Sequence, residues 1–267
     1  MQTQNRQQRL VALRDIIADI ERKPALAEAR TQSVAAPEAG FPRFSGGLVQ
    51  EVFTDAVRNG GASLGFALGQ AGTLLTEKRV AVLYLQLERD AQFFGLPYGP
   101  GLLSFGFDPS RLMIVRAKEM KELLWVAEEA LACRAVAGIV ADIGGVPEAL
   151  DFTASRRLSL RAAENGASLF LLRYGTRREA SAAHLRWCLT PQRSGRKPFD
   201  ERAPGAARWS VTLEKGLSLI QQTRFLLEWT ANGFATLPAE PGRESRHGTA
   251  LPLALSSRLA DGLSQAG

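Results

Sequence analysis

Leu48-Val49-Gln50-Glu51-Val52-Phe53-Thr54-Asp55-Ala56-Val57-Arg58-Asn59-Gly60-Gly61-Ala62-Ser63 passes from an apolar-rich run through a polar turn into a segment rich in small residues. Residues Leu48 to Phe53 read as a short strand, and Ala62 to Leu75 as a helix. A strand, a glycine-bearing turn and a helix open a βαβ unit. The chain keeps that alternation downstream. Strands are predicted at Arg79 to Leu87, Leu112 to Val115, Val136 to Ala141 and Ser168 to Leu172. Helices are predicted at Glu119 to Cys133, where Leu123, Val126, Ala127, Ala130 and Leu131 share one face, and at Phe152 to Asn165. The expected fold is therefore α/β, with a central, mostly parallel sheet and right-handed crossovers.

The pattern changes after Arg173. Leu185 to Leu189, Trp209 to Leu213 and Phe225 to Trp229 read as strands with no helix between them, and are expected as antiparallel additions at the C-terminal side of the sheet. At the other end, Leu10, Leu13, Ile16, Ile17 and Ile20 have the spacing of an amphipathic helix, which Pro24 ends. The expected organisation is an N-terminal helix over residues 1–23, a linker over 24–43, a core over 44–232 and a mobile tail over 233–267. Leu13, Ile16, Ile17 and Ile20 are candidate partner-docking residues. Leu251 to Leu263 could form a second short docking helix.

The turn at residues 54–63 invites comparison with a phosphate-binding loop. That chemistry needs glycines for close backbone approach, a lysine for the β and γ phosphates, and a serine or threonine for magnesium. Glycines and Ser63 are present, but a small residue, Ala62, stands where the lysine belongs. Asp142 ends an apolar strand, where it could hold magnesium through water or simply close a turn before Gly144 and Gly145. Glu88 follows another strand, as a base for water or as a surface charge. Gly60, Gly61, Ser63, Glu88 and Asp142 thus outline a degenerate nucleotide site.

No other catalytic set emerges. His184 and His247 lack ligand-like spacing to Cys, Asp or Glu, there is no GxSxG elbow, and Glu128-Glu129 faces out from a helix. The expectation is a protein without enzymatic activity, cofactor or metal. Cys133 and Cys188 lie in apolar segments and are expected to be buried thiols. No apolar run approaches the ~20 residues that cross a bilayer, and no apolar signal core follows Met1, so the expected location is the cytoplasm.

The chain carries a formal net charge of +6 over 267 residues. Between Arg173 and Arg208 lie nine basic residues and three acidic ones, a difference equal to the whole excess. Arg177, Arg178, Arg186, Arg193, Arg196 and Lys197 are candidates for binding single-stranded DNA; a solvated loop is the alternative. Trp187 could stack on a base or be buried in its strand.

Several passages resemble the ImuA family of RecA-like accessory proteins in bacterial damage-induced mutagenesis. They are Phe44 to Phe53, Gly95-Leu96-Pro97-Tyr98-Gly99-Pro100-Gly101-Leu102, Phe107-Asp108-Pro109-Ser110-Arg111-Leu112, Leu124 to Arg134, and Leu150-Asp151-Phe152-Thr153-Ala154-Ser155-Arg156-Arg157-Leu158. The resemblance spans most of residues 44 to 230. It implies a RecA-like P-loop NTPase core with a degenerate P-loop. It also implies an accessory role in error-prone translesion synthesis under the SOS response, with ImuB, an error-prone replicative-type polymerase and RecA as partners, at the nucleoid after damage. The segment Tyr174 to Ala182 stands where RecA-type proteins carry a DNA-binding loop. SulA-like cell-division inhibitors share the RecA-like core and are the alternative family.

Overall fold

A computed structural model describes residues 40–197, 200–216 and 223–238. The strands are β1 (Val49–Thr54), β2 (Ala81–Leu87), β3 (Leu112–Ala117), β4 (Val136–Ile143), β5 (Ser168–Tyr174), β6 (Leu185–Gln192), β7 (Arg196–Lys197), β8 (Asp200–Pro204), β9 (Arg208–Lys215), β10 (Arg224–Thr230) and β11 (Gly233–Leu237). The helices are α1 (Gly60–Gly72), α2 (Glu88–Phe94), α3 (Gly99–Ser104), α4 (Met120–Ala132) and α5 (Phe152–Asn165). Short 3-10 turns occupy Val57–Asn59 and Pro109–Arg111.

Nine strands form one sheet in the order β11-β10-β9-β6-β1-β5-β4-β2-β3. The six strands from β6 to β3 in that order are mutually parallel. The strands β9, β10 and β11 are antiparallel additions. β7 and β8 make a separate two-stranded ribbon. The fold is thus α/β with a large, mostly parallel sheet. One expectation is corrected: β6 runs parallel to β1, with Gln50 opposite Leu185 and Phe53 opposite Cys188. Residues 175–184 carry the chain back along the sheet, so β6 enters in the same direction as β5 although no helix intervenes.

The central strands β1 and β4 are buried along their whole length, as both faces of the sheet are covered. Alternation along each strand divides the core in two. Val52, Tyr84, Val140, Phe170 and Trp187 meet Phe66 and Ala67 of α1 on one face. Val49, Leu85, Ile139 and Leu171 meet Leu123, Ala127 and Leu131 of α4 and Leu158 of α5 on the other. Helix α5 has clear signals at both ends. The Asp151 Oδ1 accepts a bond from the Ala154 amide at 2.7 Å, and Gly166 closes the helix at φ +77°.

The core extends past the expected boundaries on both sides. Phe41, within the predicted linker, packs against Phe66, Trp187, Phe225 and Phe234. Gly233–Leu237, within the predicted tail, pairs with β10 as an edge strand. The fit of this strand on α1 requires Gly69: a Cβ there would lie 2.7 Å from both Phe234 and Trp229. The predicted N-terminal docking residues Leu13, Ile16, Ile17 and Ile20 and the segment from 251 lie outside the described residues. Among the described residues, no helix is long and apolar enough to cross a membrane.

Candidate functional site

The predicted nucleotide site falls at the C-terminal ends of β1, β4 and β5, beside the first turn of α1. The Asn59 Nδ2 donates to the Thr54 Oγ1 at 3.1 Å and closes the turn that leaves β1. Gly60 and Gly61 then start α1, with Ser63 buried one turn in. A Cβ on Gly60 would lie 3.1 Å from the Tyr174 hydroxyl, so the phenol at the end of β5 abuts the start of this helix.

The same hydroxyl donates to the Asp142 Oδ1 at 2.7 Å. The Tyr84 hydroxyl, from β2, donates to the Asp142 Oδ2 at 2.7 Å and accepts from the Gln86 Nε2 at 3.2 Å. Asp142 is 4% exposed and both of its oxygens are taken by phenols. Burial raises its pKa above the usual carboxylate range. The two hydroxyl bonds pull the other way, and the nearby Asp90 carboxylate adds to the rise. Burial, followed by the Asp142 charge, also raises both phenols far above ordinary tyrosine values. Neither tyrosine is therefore an acid or base near neutral pH. The cluster is a hydrogen-bonded fixture.

The structure thus joins Gly60 to Asp142 through Tyr174, and leaves Glu88 exposed at the start of α2. A phosphate at the first turn of α1 would meet the Tyr174 hydroxyl, backed by the Asp142 and Asp90 carboxylates. Ala62 supplies no cation to offset them. Among the described residues, no group of three or more His, Cys, Asp or Glu side chains is placed to hold a metal.

The basic candidates separate into two groups. Arg178 and Arg186 face inward, on the side of the sheet covered by α4 and α5. The Arg186 Nε donates to the Glu51 Oε2 at 2.8 Å, and its Nη2 donates to the Glu179 carbonyl at 2.7 Å. Arg173 is 4.0 Å from the Glu51 Oε1 and 2.8 Å from the Glu179 Oε2. Arg178 holds Glu214 with two bonds of 2.8 and 3.2 Å and lies 4.0 Å over the Phe53 ring. These guanidiniums hold the 175–184 crossover to the sheet instead of facing a polyanion. Bonds from the Ser159 Oγ to the Ala182 carbonyl and from the Ala182 amide to the Ser155 Oγ pin its far end. Arg177, 3.5 Å from Glu179, is exposed, as are Arg193 and Lys197, while Arg196 opens β7. Trp187 is fully buried and donates to the Gln50 Oε1 at 2.8 Å, so it offers no stacking face.

Two smaller expectations also change or gain detail. Cys133 is exposed where α4 ends, and Cys188 is half-buried in β6 beside the Arg178 guanidinium, so neither is the fully buried thiol expected. The His184 Nδ1 accepts from the Val49 amide at 3.0 Å, and burial lowers its pKa, so this ring is a neutral brace between β1 and β6.

The candidate cluster contains residues that no local pattern singles out. Tyr84 and Tyr174 stand in apolar strands, where a phenol reads as packing. Glu51 within Val49 to Phe53 was the stronger signal, since an acid in a fully buried strand needs a cation or a set of donors.

No family model matches the chain. A stretch of 128 residues is 38% identical to Protein ImuA from two strains of Caulobacter vibrioides, covering 44% of this chain and 50% of each relative. The chain therefore spans about half the length of the curated relatives it matches.

Proposed function

We propose that this chain, whose similarity to Protein ImuA supports membership of the ImuA family, is a non-catalytic accessory protein of damage-induced mutagenesis. Its core is read as RecA-like, with a P-loop that has lost its lysine and a nucleotide site filled by its own side chains. The observation that carries the non-catalytic reading is the Tyr174 hydroxyl, set against Gly60 and bonded to Asp142. A triphosphate would have to displace the half-buried Tyr174 phenol and then face two carboxylates with no lysine to balance them.

Without turnover, the contribution of such a protein is to hold others together. The proposed role is an adaptor in error-prone translesion synthesis under the SOS response, with ImuB, an error-prone replicative-type polymerase and RecA as partners. Exposed Arg177, Arg193 and Lys197 support a second, weaker reading, in which the chain touches single-stranded DNA. Its affinity would then fall steeply with salt.

Thermal unfolding with and without magnesium-ATP tests the first point. A ligand of the native state at 100 times its Kd adds about 2.7 kcal/mol of stability. The expected result is no shift at millimolar nucleotide, and a concentration-dependent rise would overturn the non-catalytic reading. Purification of the tagged chain from DNA-damaged cells tests the second. Recovery of ImuB, the polymerase or RecA is expected, and recovery of the division GTPase in their place would favour the SulA-like alternative.

A further inference from the structure

Strand β3 ends the sheet and, among the described residues, pairs on one side only, with β2. Its residues alternate between the two faces. Leu112 packs with the α1-side core, so Ile114 and Arg116 share that face. Val115 and Ala117 pack with the α4-side core, so Met113 shares theirs. Met113 is 57% and Ile114 39% exposed, one on each side of the strand. Proteins ordinarily protect such an edge with proline, a bulge, inward charges or charged side chains along it, and of these β3 carries only the last. Here Leu112-Met113-Ile114-Val115 runs uninterrupted, and the pairing of β3 with β2 keeps one register from Leu112 to Ala117. The outer backbone groups of β3 and two apolar side chains are therefore presented together. A β-strand satisfies both, through main-chain bonds and alternate side chains.

Charge decides which strand. Arg111, Arg116 and Lys118 line this edge and all are exposed. Arg111 has a loose partner in Asp108 at 3.8 Å, and the Glu122 Oε2 is bonded to the Lys118 amide at 2.8 Å. Two copies of the chain paired along β3 would bring these three cations from each copy into one ladder, and like charges across strands are destabilising. We propose that the β3 edge takes an extended acidic–apolar segment of a partner protein as an added strand. Apolar side chains of that segment cover Met113 and Ile114, and an aspartate or glutamate faces Arg116. Among the described residues this edge has no second strand, and that holds whatever role the chain has in the cell.

The test uses the full chain and a fluorescein-labelled peptide, Glu-Val-Thr-Val-Thr-Val-Glu, with a control in which lysine replaces both glutamates. Saturating peptide is expected to slow hydrogen exchange of amides within residues 112–117, with an affinity that falls as salt rises. Met113→Ser and Arg116→Glu, at exposed positions, are each expected to weaken binding by about tenfold, a change of about 1.4 kcal/mol, with unaltered thermal unfolding. Several results would overturn the proposal. They are absence of added protection at 112–117, equal binding of the lysine control, protection of these amides before peptide is added, or a dimer in sedimentation that Ile114→Lys dissolves. The last two would identify the occupant as another part of this chain or a second copy.

Discussion

Glu51 and Asp142 are both buried carboxylates in the central sheet, on opposite faces, and they are held in different ways. Glu51, toward α4 and α5, is 2% exposed and lies among two guanidiniums and the Ser181 hydroxyl. Asp142, toward α1, receives two phenol hydroxyls. The first arrangement is ionic and binds the 175–184 crossover to β1. The second is hydrogen-bonded and stands beside the first turn of α1. Burial pushes Asp142 toward its protonated form, against the pull of the two phenol bonds. The difference shows how one sheet can hold an acid with guanidiniums on one face and with phenols on the other.

The largest expected effect lies on the ionic side. Glu51→Gln leaves Arg173 and Arg186 with less compensating charge and should cost about 3–5 kcal/mol in urea unfolding, as for other broken buried pairs. Replacing Glu51, Arg173 and Arg186 together by apolar residues of similar volume should cost less than the single change. The opposite ranking would mean that the network stabilises the fold by its charge and not merely by avoiding an orphan.

Next comes Tyr174→Phe, which deprives the Asp142 Oδ1 of its donor at nearly constant volume. A loss of about 1–3 kcal/mol is expected, the cost of one unsatisfied buried acceptor. A double-mutant cycle with Tyr84→Phe should show coupling, since the two hydroxyls share one carboxylate. Additive effects would separate the two phenols and weaken the picture of a single cluster.

The third effect depends on pH. Asp142 holds its proton to higher pH in the fold than in the unfolded chain. Its contribution is therefore complete below its unfolded value of about 4 and declines as pH rises through its raised folded value. The stability of the parent relative to Asp142→Asn should fall with rising pH across that window. A flat difference would mean that the two hydroxyl bonds offset burial. The smallest effect is expected for Arg177→Ala. It removes an exposed charge and should change stability by no more than about 0.5 kcal/mol. A larger loss would show that Arg177 belongs with the inward-facing arginines.

Much of the scaffold was legible because its signals are local. Helix α5 spans the predicted Phe152 to Asn165, bounded by the Asp151 cap and Gly166. The apolar runs of β2, β4 and β5 marked those strands to within a few residues. Helices α2 and α3 were not anticipated, being only one or two turns long, and α2 follows β2 with no intervening loop. Strand β11 was missed because Gly233 to Leu237 is short and only partly apolar, and its burial comes from packing on α1. In the candidate site, Gly60, Gly61, Ser63 and Asp142 were selected for motif-like positions. Arg178 and Arg186 were selected for charge alone, which says nothing of direction.

The amino-acid sequence alone determined the alternation of strands and helices, the lysine-free first turn of α1 and the concentration of basic residues after Arg173. Each of these rests on neighbours within a few residues, where periodicity and backbone preference act directly. Only the tertiary structure decided what stands against the first turn of α1, which arginines turn inward and which strand, among the described residues, ends the sheet with one partner. Tyr174 and Asp142 are 32 positions apart, and Arg186 and Glu51 are 135 apart. Their pairing follows from strand order, because β4 lies beside β5 and β1 beside β6, so each meets residues that no local pattern assigns to it.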